Sequence, residues 1–238
     1  MYDMNRFRRD YPLRTARIDG FDFPYRYYRN PDAKETLVLL TGGVGFSDLF
    51  YLHFVRFARE FSVLTFDYHA QYPTIGAFTD AAARLMEQLG ITGWLVGQSM
   101  GGIVAQVFAQ RHPEAVEGLV LSNTCPLTGD MGPEAWGHLM KLFKSQKLAR
   151  FLVHAMPFSL YTRLCQQIFR KFQKKDCTRE EAAILAELAD EVGRLMNKPY
   201  ELHMIEFMLD AIHYQSICPE DFQFCRGRIL PRTSSAIN

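Results

Sequence analysis

The chain has 238 residues, which suits one domain with an insertion and allows a large apolar core. Its 27 Lys and Arg residues almost balance its 26 Asp and Glu residues, and the net charge of +1 argues against a general attraction to nucleic acid or to an anionic membrane. With 48% hydrophobic residues and no apolar run long enough to cross a bilayer, the composition is that of a globular protein, for which we expect neither nucleic acid nor a membrane as partner.

The amino terminus and the cysteines indicate the cellular compartment. Residues 1–10 contain no apolar stretch of the kind found in a secretory signal peptide. The five cysteines are odd in number, widely spaced and free of any C-x-x-C pair; they are Cys125, Cys165, Cys177, Cys218 and Cys225. This pattern is typical of reduced thiols and not of disulfides or a metal site. We therefore expect a cytoplasmic protein without a metal ion or a cofactor.

The first 130 residues alternate between predicted strands and predicted helices. Asp19-Gly20 predicts a hairpin turn between strands at residues 15–19 and 23–28. Apolar runs and helical spacing then predict, in order, strand 37–40, helix 49–61, strand 62–67, helix 78–89, strand 94–96, helix 102–109 and strand 118–122. Because strand and helix alternate, we expect a mostly parallel sheet with helices on both faces.

Residues from about 133 to 215 show helical periodicity and no convincing strand. The predicted helices are 142–154, 161–172, 179–196 and 201–213. Thr178 and Glu181 have the spacing of a capping box at the start of the third. An all-helical block inserted into an α/β chain predicts a lid. We therefore divide the chain into an α/β core at 1–130, a helical lid at 131–217, and the beginning of a seventh core strand with a polar tail at 218–238.

The most informative motif is Gly97-Gln98-Ser99-Met100-Gly101, a G-x-S-x-G sequence between a predicted strand and a predicted helix. In such a sharp turn the serine hydroxyl stands above the sheet edge, and glycines are needed because side chains would strike the neighbouring strand or helix. The alternative interpretation of this motif is a plain strand-to-helix turn in a nucleotide-binding sheet. For the second glycine cluster, at residues 42–45, the alternative is a phosphate-binding loop, but neither G-K-S/T nor G-x-G-x-x-G occurs.

Four motifs together resemble the α/β-hydrolase superfamily, in its helical-lid branch of small esterases, peptidases and related lyases. They are residues 39–45, 66–68, 97–102 and 108–113, and the resemblance extends over residues 15 to about 230. It implies that Ser99 is a nucleophile that attacks the carbonyl carbon of a small carboxylic ester or related acyl substrate. It also implies that the backbone N–H groups of Met100 and Gly43 form the oxyanion hole. Thr41 stands where the family usually has a histidine.

The same resemblance implies an acid after the seventh strand and a histidine after the eighth as partners of Ser99. The seventh strand would be residues 228–230, but no Asp or Glu follows Asp221 and no His follows His213. We therefore expect a sheet without its last strand and helix, in a chain truncated at its carboxyl end or frame-shifted after residue 230. The acid and the base stay unknown. His69 is the best placed substitute base because it follows the fourth strand on the catalytic side of the sheet.

The sequence is compatible with three functions. The first is a serine hydrolase whose lid supplies an apolar acyl pocket. The second is a catalytically dead hydrolase-fold binding protein or a truncated product, which would self-associate through an exposed sheet edge. The third is lyase chemistry, in which the serine acts through hydrogen bonding or proton transfer.

Overall fold

The computed structural model of this protein describes residues 3–127, 132–171, 178–214 and 217–222. Six strands form one sheet in the order β1-β2-β4-β3-β5-β6. They are β1 (Arg14–Ile18), β2 (Phe21–Tyr28), β3 (Thr36–Leu40), β4 (Ser62–Phe66), β5 (Gly93–Gln98) and β6 (Val116–Ser122). β2 pairs antiparallel with β1 and with β4, whereas the β4-β3-β5-β6 portion is parallel throughout. The predicted mostly parallel α/β sheet is thereby confirmed.

The strands form where the sequence favours them. Asp19 and Gly20 have positive φ angles of 52° and 82°, which close the β1-β2 hairpin with the twist that two-residue turns require. Every residue of β4 is buried, as expected of a central parallel strand that is covered on both faces. The register places Leu40 of β3 opposite Gly97 of β5. The loop after β3 therefore lies beside the turn after β5, and the two glycine clusters meet there.

Helices cover both faces of the sheet. They are α1 (Met4–Asp10), α2 (Tyr51–Phe57), α3 (Ile75–Leu89) and α4 (Met100–Arg111). Leu39 and Leu40 are neighbours in β3 but belong to different apolar clusters, because successive side chains of a strand point to opposite faces. The cluster around Leu40 includes residues of α3 and α4, and the cluster around Leu39 includes residues of α1 and α2.

The amino-terminal half differs from prediction in two places. Helix α1 was not predicted by the apolar pattern, yet Met4 and Phe7 are almost completely buried. The predicted helix at 49–61 is shorter in the structure: a 3-10 turn at Ser47–Phe50 precedes α2, which ends at Phe57. The predicted end of α3 is confirmed, since Gly90 adopts the left-handed conformation with φ of 65°.

Within the described residues four further helices follow β6, and we call them the helical block. They are α5 (Pro133–Ala155), α6 (Phe158–Lys171), α7 (Arg179–Leu195) and α8 (Lys198–Leu209). The predicted helical character is confirmed, and so is the capping box, in which Thr178 and Glu181 exchange side-chain-to-backbone hydrogen bonds. α8 enters the core, because Met204 and Phe207 belong to the same apolar cluster as α3 and α4.

Two further predictions concern the carboxyl-terminal residues and membrane-spanning helices. The predicted seventh strand at 228–230 and the polar tail at 231–238 lie outside the described residues. Among the helices of the described ranges, none has the length and apolar character needed to cross a membrane.

Candidate active site

Ser99 occupies the turn between β5 and α4. Its backbone angles, φ 55° and ψ −119°, are sparsely populated by any residue with a side chain, and a turn held in this region stores strain. The turn is fixed from β6, since the Ser99 N–H donates to the carbonyl oxygen of Ser122 at 2.9 Å. Helix α4 begins at the next residue, Met100, whose N–H is among those with no partner inside the helix.

Close backbone packing explains the glycines around Ser99. A Cβ atom on Gly97 would overlap the carbonyl oxygen of Gly101, and one on Gly101 would overlap the carbonyl oxygen of Leu40. A Cβ atom on Gly102 would lie 2.6 Å from the Cβ atom of Thr124. Because two of these three neighbours are backbone atoms, they cannot rotate away. The sequence motif is therefore required by the geometry of the turn itself.

The loop after β3 faces the start of α4. A Cβ atom on Gly43 would lie 4.0 Å from the Cβ atom of Met100 and would overlap the Cε atom of Met208. Gly43 and Met100, the two predicted oxyanion donors, therefore lie next to each other. Two polar contacts hold this loop: the Tyr68 hydroxyl donates to the Thr41 carbonyl oxygen at 2.7 Å, and the Tyr68 N–H donates to the Gly45 carbonyl oxygen at 2.9 Å.

A buried carboxylate fixes the end of the same loop. Asp67 follows β4, and its Oδ1 accepts a hydrogen bond from the Ser47 N–H at 2.7 Å. Burial raises the pKa of Asp67, and the hydrogen bonds from Ser47 partly oppose this rise. Asp67 therefore acts here as an anchor for the loop.

Charged side chains connect the loop with the helical block. The carboxylate of Asp48 accepts from Arg26 Nη2 at 2.5 Å and from Arg8 Nε at 2.7 Å. Arg8 also forms an ion pair with Glu191 of α7. Asp48 and Arg26 are only 7% and 4% exposed, so that each needs the other to compensate its buried charge. We call Arg8, Arg26, Asp48 and Glu191 the ion-pair cluster.

Ser99 opens into a cavity of about 330 Å³. Its walls come from the turn, from the loop after β6 and from helices α5 and α8: Ser99, Met100, Ile103, Asn123, Thr124, Cys125, Pro126, His138, Leu139, Leu142 and Met208. Most of the wall is apolar, and Ser99 itself is exposed. His138 of α5 is the histidine of this wall.

The structure places the other histidines away from this cavity. His69, the predicted substitute base, follows β4 but is not among the lining residues; its Nδ1 contacts Gln71 Oε1. Burial lowers the pKa of His203, and the nearby His69 lowers it further. His112 lies at the far end of α4, where it contacts Asp80 at 2.7 Å. No sequence pattern favoured His138, because a single histidine in a predicted helix does not indicate which cavity that side of the helix lines.

No group of three or more His, Cys, Asp or Glu side chains in the described ranges is arranged to hold a metal ion. Cys125 and Cys165 are free thiols, and burial raises the pKa of Cys125, which lines the cavity.

Comparison with known proteins identifies the family. The model of the alpha/beta hydrolase fold family matches residues 35–157, which include the turn at Ser99, the loop after β3 and most of α5. This chain belongs to the α/β-hydrolase family. No protein among those with curated descriptions matches the α/β-hydrolase described here.

Solved structures show the same fold at low sequence identity. Cfl2 from Burkholderia cenocepacia is 20% identical, with a TM-score of 0.62 over 85% of this chain and 72% of that chain. A putative epoxide hydrolase from Pseudomonas aeruginosa is 19% identical, with a TM-score of 0.59 over 87% and 72%. MenH from S. aureus is 19% identical, with a TM-score of 0.57 over 78% and 70%. These likenesses support the fold and leave the reaction to be argued from the site.

Proposed function

We propose that this α/β-hydrolase is a serine hydrolase that acts on a small carboxylic ester or related acyl substrate, with Ser99 as its nucleophile. The strained backbone of Ser99 carries the proposal. A serine held at φ 55° and ψ −119° between a strand and a helix, with glycines packed against it, presents its hydroxyl to a cavity. An ordinary strand-to-helix turn does not need this strain.

The proposed reaction has two halves. Ser99 Oγ bonds to the carbonyl carbon while its proton passes to a base, and the alcohol leaves with that proton. Water then attacks the acyl-serine in the same manner and releases the carboxylic acid. In both halves the carbonyl oxygen becomes negative and would accept hydrogen bonds from the N–H groups of Met100 and Gly43, each worth about 3 kcal/mol of barrier.

The wall of the cavity supports an acyl substrate of modest size. Ile103, Leu139, Leu142 and Met208 offer an apolar surface, and about 330 Å³ suits a small ligand. The helical block would then serve as the lid over this substrate. His138 is the first candidate for the base, ahead of His69, because it lines the cavity that contains Ser99.

A non-catalytic binding protein is the second candidate function. The specific observation in its favour is that, among the described residues that line the Ser99 cavity, no carboxylate is present to orient a histidine. Such a protein would bind an acyl compound in the same cavity without converting it. For either function we propose a cytoplasmic location, which the free thiols of Cys125 and Cys165 support.

Labelling with a fluorophosphonate, read by intact mass, tests the proposal. In this reaction the Ser99 Oγ–P bond forms, the P–F bond breaks, and the serine proton leaves to the base. We expect a single label on the wild type, none on Ser99→Ala, and an unchanged label on Ser122→Ala, the neighbouring serine at the end of β6. We also expect much slower labelling of His138→Gln than of His69→Gln.

Thermal melting of each variant excludes misfolding as the cause of a lost label. An unlabelled wild type that melts cooperatively would overturn the serine hydrolase and leave the binding protein. Equal labelling of His138→Gln and the wild type would keep Ser99 as nucleophile and exclude His138 as its base.

A further inference from the structure

Large apolar side chains are exposed on two neighbouring helices of the helical block. On α5 they are Trp136, Leu148 and Phe151, and on α6 they are Leu160, Leu164 and Ile168. Phe151 has the greatest exposure of these, at 66%. Exposed apolar residues that stand alone need no explanation, but a concentration of them on adjacent helices marks an interaction surface.

The apolar residues of α6 form a row on one side of that helix. Leu160, Leu164 and Ile168 are spaced four residues apart, and positions four apart lie above one another on a helix. The other side of α6 is already packed, since Tyr161 and Cys165 contact the small apolar cluster of the helical block. The exposed row is therefore additional to the residues that hold α6 in place.

A similar row on α5 includes positive charge. Lys141, Lys144, Leu148, Phe151 and Ala155 are all exposed and are separated by three, four, three and four residues, which places them on one side of the helix. Lysine side chains can lie along an apolar surface and still carry their ammonium groups to its edge. The α5 row is thus apolar and cationic at once.

The net charge of the two helices is far from that of the whole chain. Between Pro133 and Lys171 the only acidic residue of the described helices α5 and α6 is Glu134. Their basic residues are Lys141, Lys144, Lys147, Arg150, Arg163, Arg170 and Lys171. Seven positive charges against one negative charge give +6 on two helices, in a chain whose net charge is +1. Arg150 is paired with Glu206 of α8 at 2.8 Å, and the remaining excess still makes this a basic region that the small total does not reveal.

We propose that the outer sides of α5 and α6 bind an anionic lipid surface. Leu148, Phe151 and the α6 row would enter the boundary between headgroups and acyl chains, while the lysines of α5 contact headgroup phosphates. A second copy of the chain is a poorer occupant, because it would bring the same positive charge against itself. This proposal replaces our expectation of no membrane partner, which rested on the net charge of the whole chain and on the lack of a bilayer-spanning apolar run, and it is independent of whether Ser99 is active.

Flotation with vesicles tests this surface. The probes are vesicles of phosphatidylcholine alone and vesicles of phosphatidylcholine with phosphatidylserine. We expect the wild type to float with the phosphatidylserine vesicles and to be released by high salt. Replacement of Leu160, Leu164 and Ile168 by Gln, and separately of Lys141, Lys144 and Lys147 by Gln, should each weaken binding at least about tenfold. Gln preserves helix propensity, and circular dichroism verifies the fold of each variant.

Leu13→Gln is the matched control, since Leu13 is exposed to a similar degree (45%) but lies outside the helical block. It should bind as the wild type does. Absence of wild-type flotation would overturn the proposal. So would unchanged binding of the α6 variant, which would reduce the interaction to charge alone. Capture by soluble poly-glutamate without any flotation would assign the surface to an acidic polypeptide and would also overturn it.

Discussion

The turn at Ser99 and helix α7 of the helical block are held in place by opposite means. At the turn, backbone packs on backbone so closely that Gly97 and Gly101 leave no room for a methyl group. Helix α7 contacts the core through one apolar residue, Leu188, and through polar side chains: Glu187 accepts from the Tyr51 hydroxyl at 3.0 Å, and Glu191 pairs with Arg8. The turn therefore tolerates no added atom, whereas the position of α7 depends on charge as well.

The strongest test of this comparison adds one methyl group at the turn. Gly101→Ala would place a Cβ atom against the carbonyl oxygens of Leu40 and Thr41, and we expect a loss of about 3 kcal/mol or more in the free energy of unfolding. Urea denaturation measures it. Gly137→Ala in α5 is the control, because nothing lies within 4 Å of its Cβ position; it should be neutral or stabilise by up to about 1 kcal/mol. Equal stability of the two variants would show that the turn is not closely packed.

The two regions also differ in how far the sequence predicts them. The turn depends on residues within a few positions of Ser99, so that the G-x-S-x-G pattern between a strand and a helix was sufficient to find it. The attachment of α7 joins residues that are 183 positions apart in the sequence. Met4 contacts Glu187, and Arg8 contacts Glu191. A local sequence pattern cannot predict which distant residues form an ion pair, because ion pairs do not recur at regular intervals along the chain.

Helix α1 and His138 were missed for the same physical reason. α1 has seven residues, and its two buried side chains, Met4 and Phe7, are too few to establish a helical period. Its place in the fold comes from packing against α2 and from the ion-pair cluster. His138 belongs to the site only because α5 crosses the carboxyl edge of the sheet, which is a property of the tertiary structure.

A second test removes one charge from the attachment of α7. Glu191→Gln should cost about 1 kcal/mol, because Glu191 and Arg8 are partly screened by solvent, and should speed amide hydrogen exchange in α7 while β5 exchanges as before. Arg194→Gln is the control: Arg194 also pairs with Glu191 but belongs to α7 itself, so that its loss leaves the link to Arg8 intact. Faster exchange in β5 as well as α7 would contradict independent attachment.

The smallest expected effect is on the pH dependence of stability, because the pKa values of two carboxyl groups are shifted in opposite directions. They are Glu201 in the helical block and Asp80 in α3. Burial raises the pKa of Glu201, against a hydrogen bond from Tyr161 that lowers it. For Asp80, burial also acts upward, but hydrogen bonds from Arg111 and His112 prevail and lower the pKa. The folded protein therefore holds the Glu201 proton more tightly, and the Asp80 proton less tightly, than the unfolded chain does.

These shifts predict opposite slopes of stability with pH. The contribution of Glu201 to the free energy of unfolding should fall as pH rises from the ordinary pKa of 4.5 through the raised pKa. Glu201→Gln should remove that fall. The contribution of Asp80 to the free energy of unfolding should fall as pH drops below the ordinary pKa of 3.8. Asp80→Asn should remove that fall. Urea denaturation at a series of pH values measures both, with Glu60→Gln as an exposed control that should follow the wild type. For each variant, the difference in stability from the wild type is plotted against pH. Differences that change with pH in the same direction for both variants would contradict the contrast, because burial would then determine the pKa of Asp80 as it does that of Glu201.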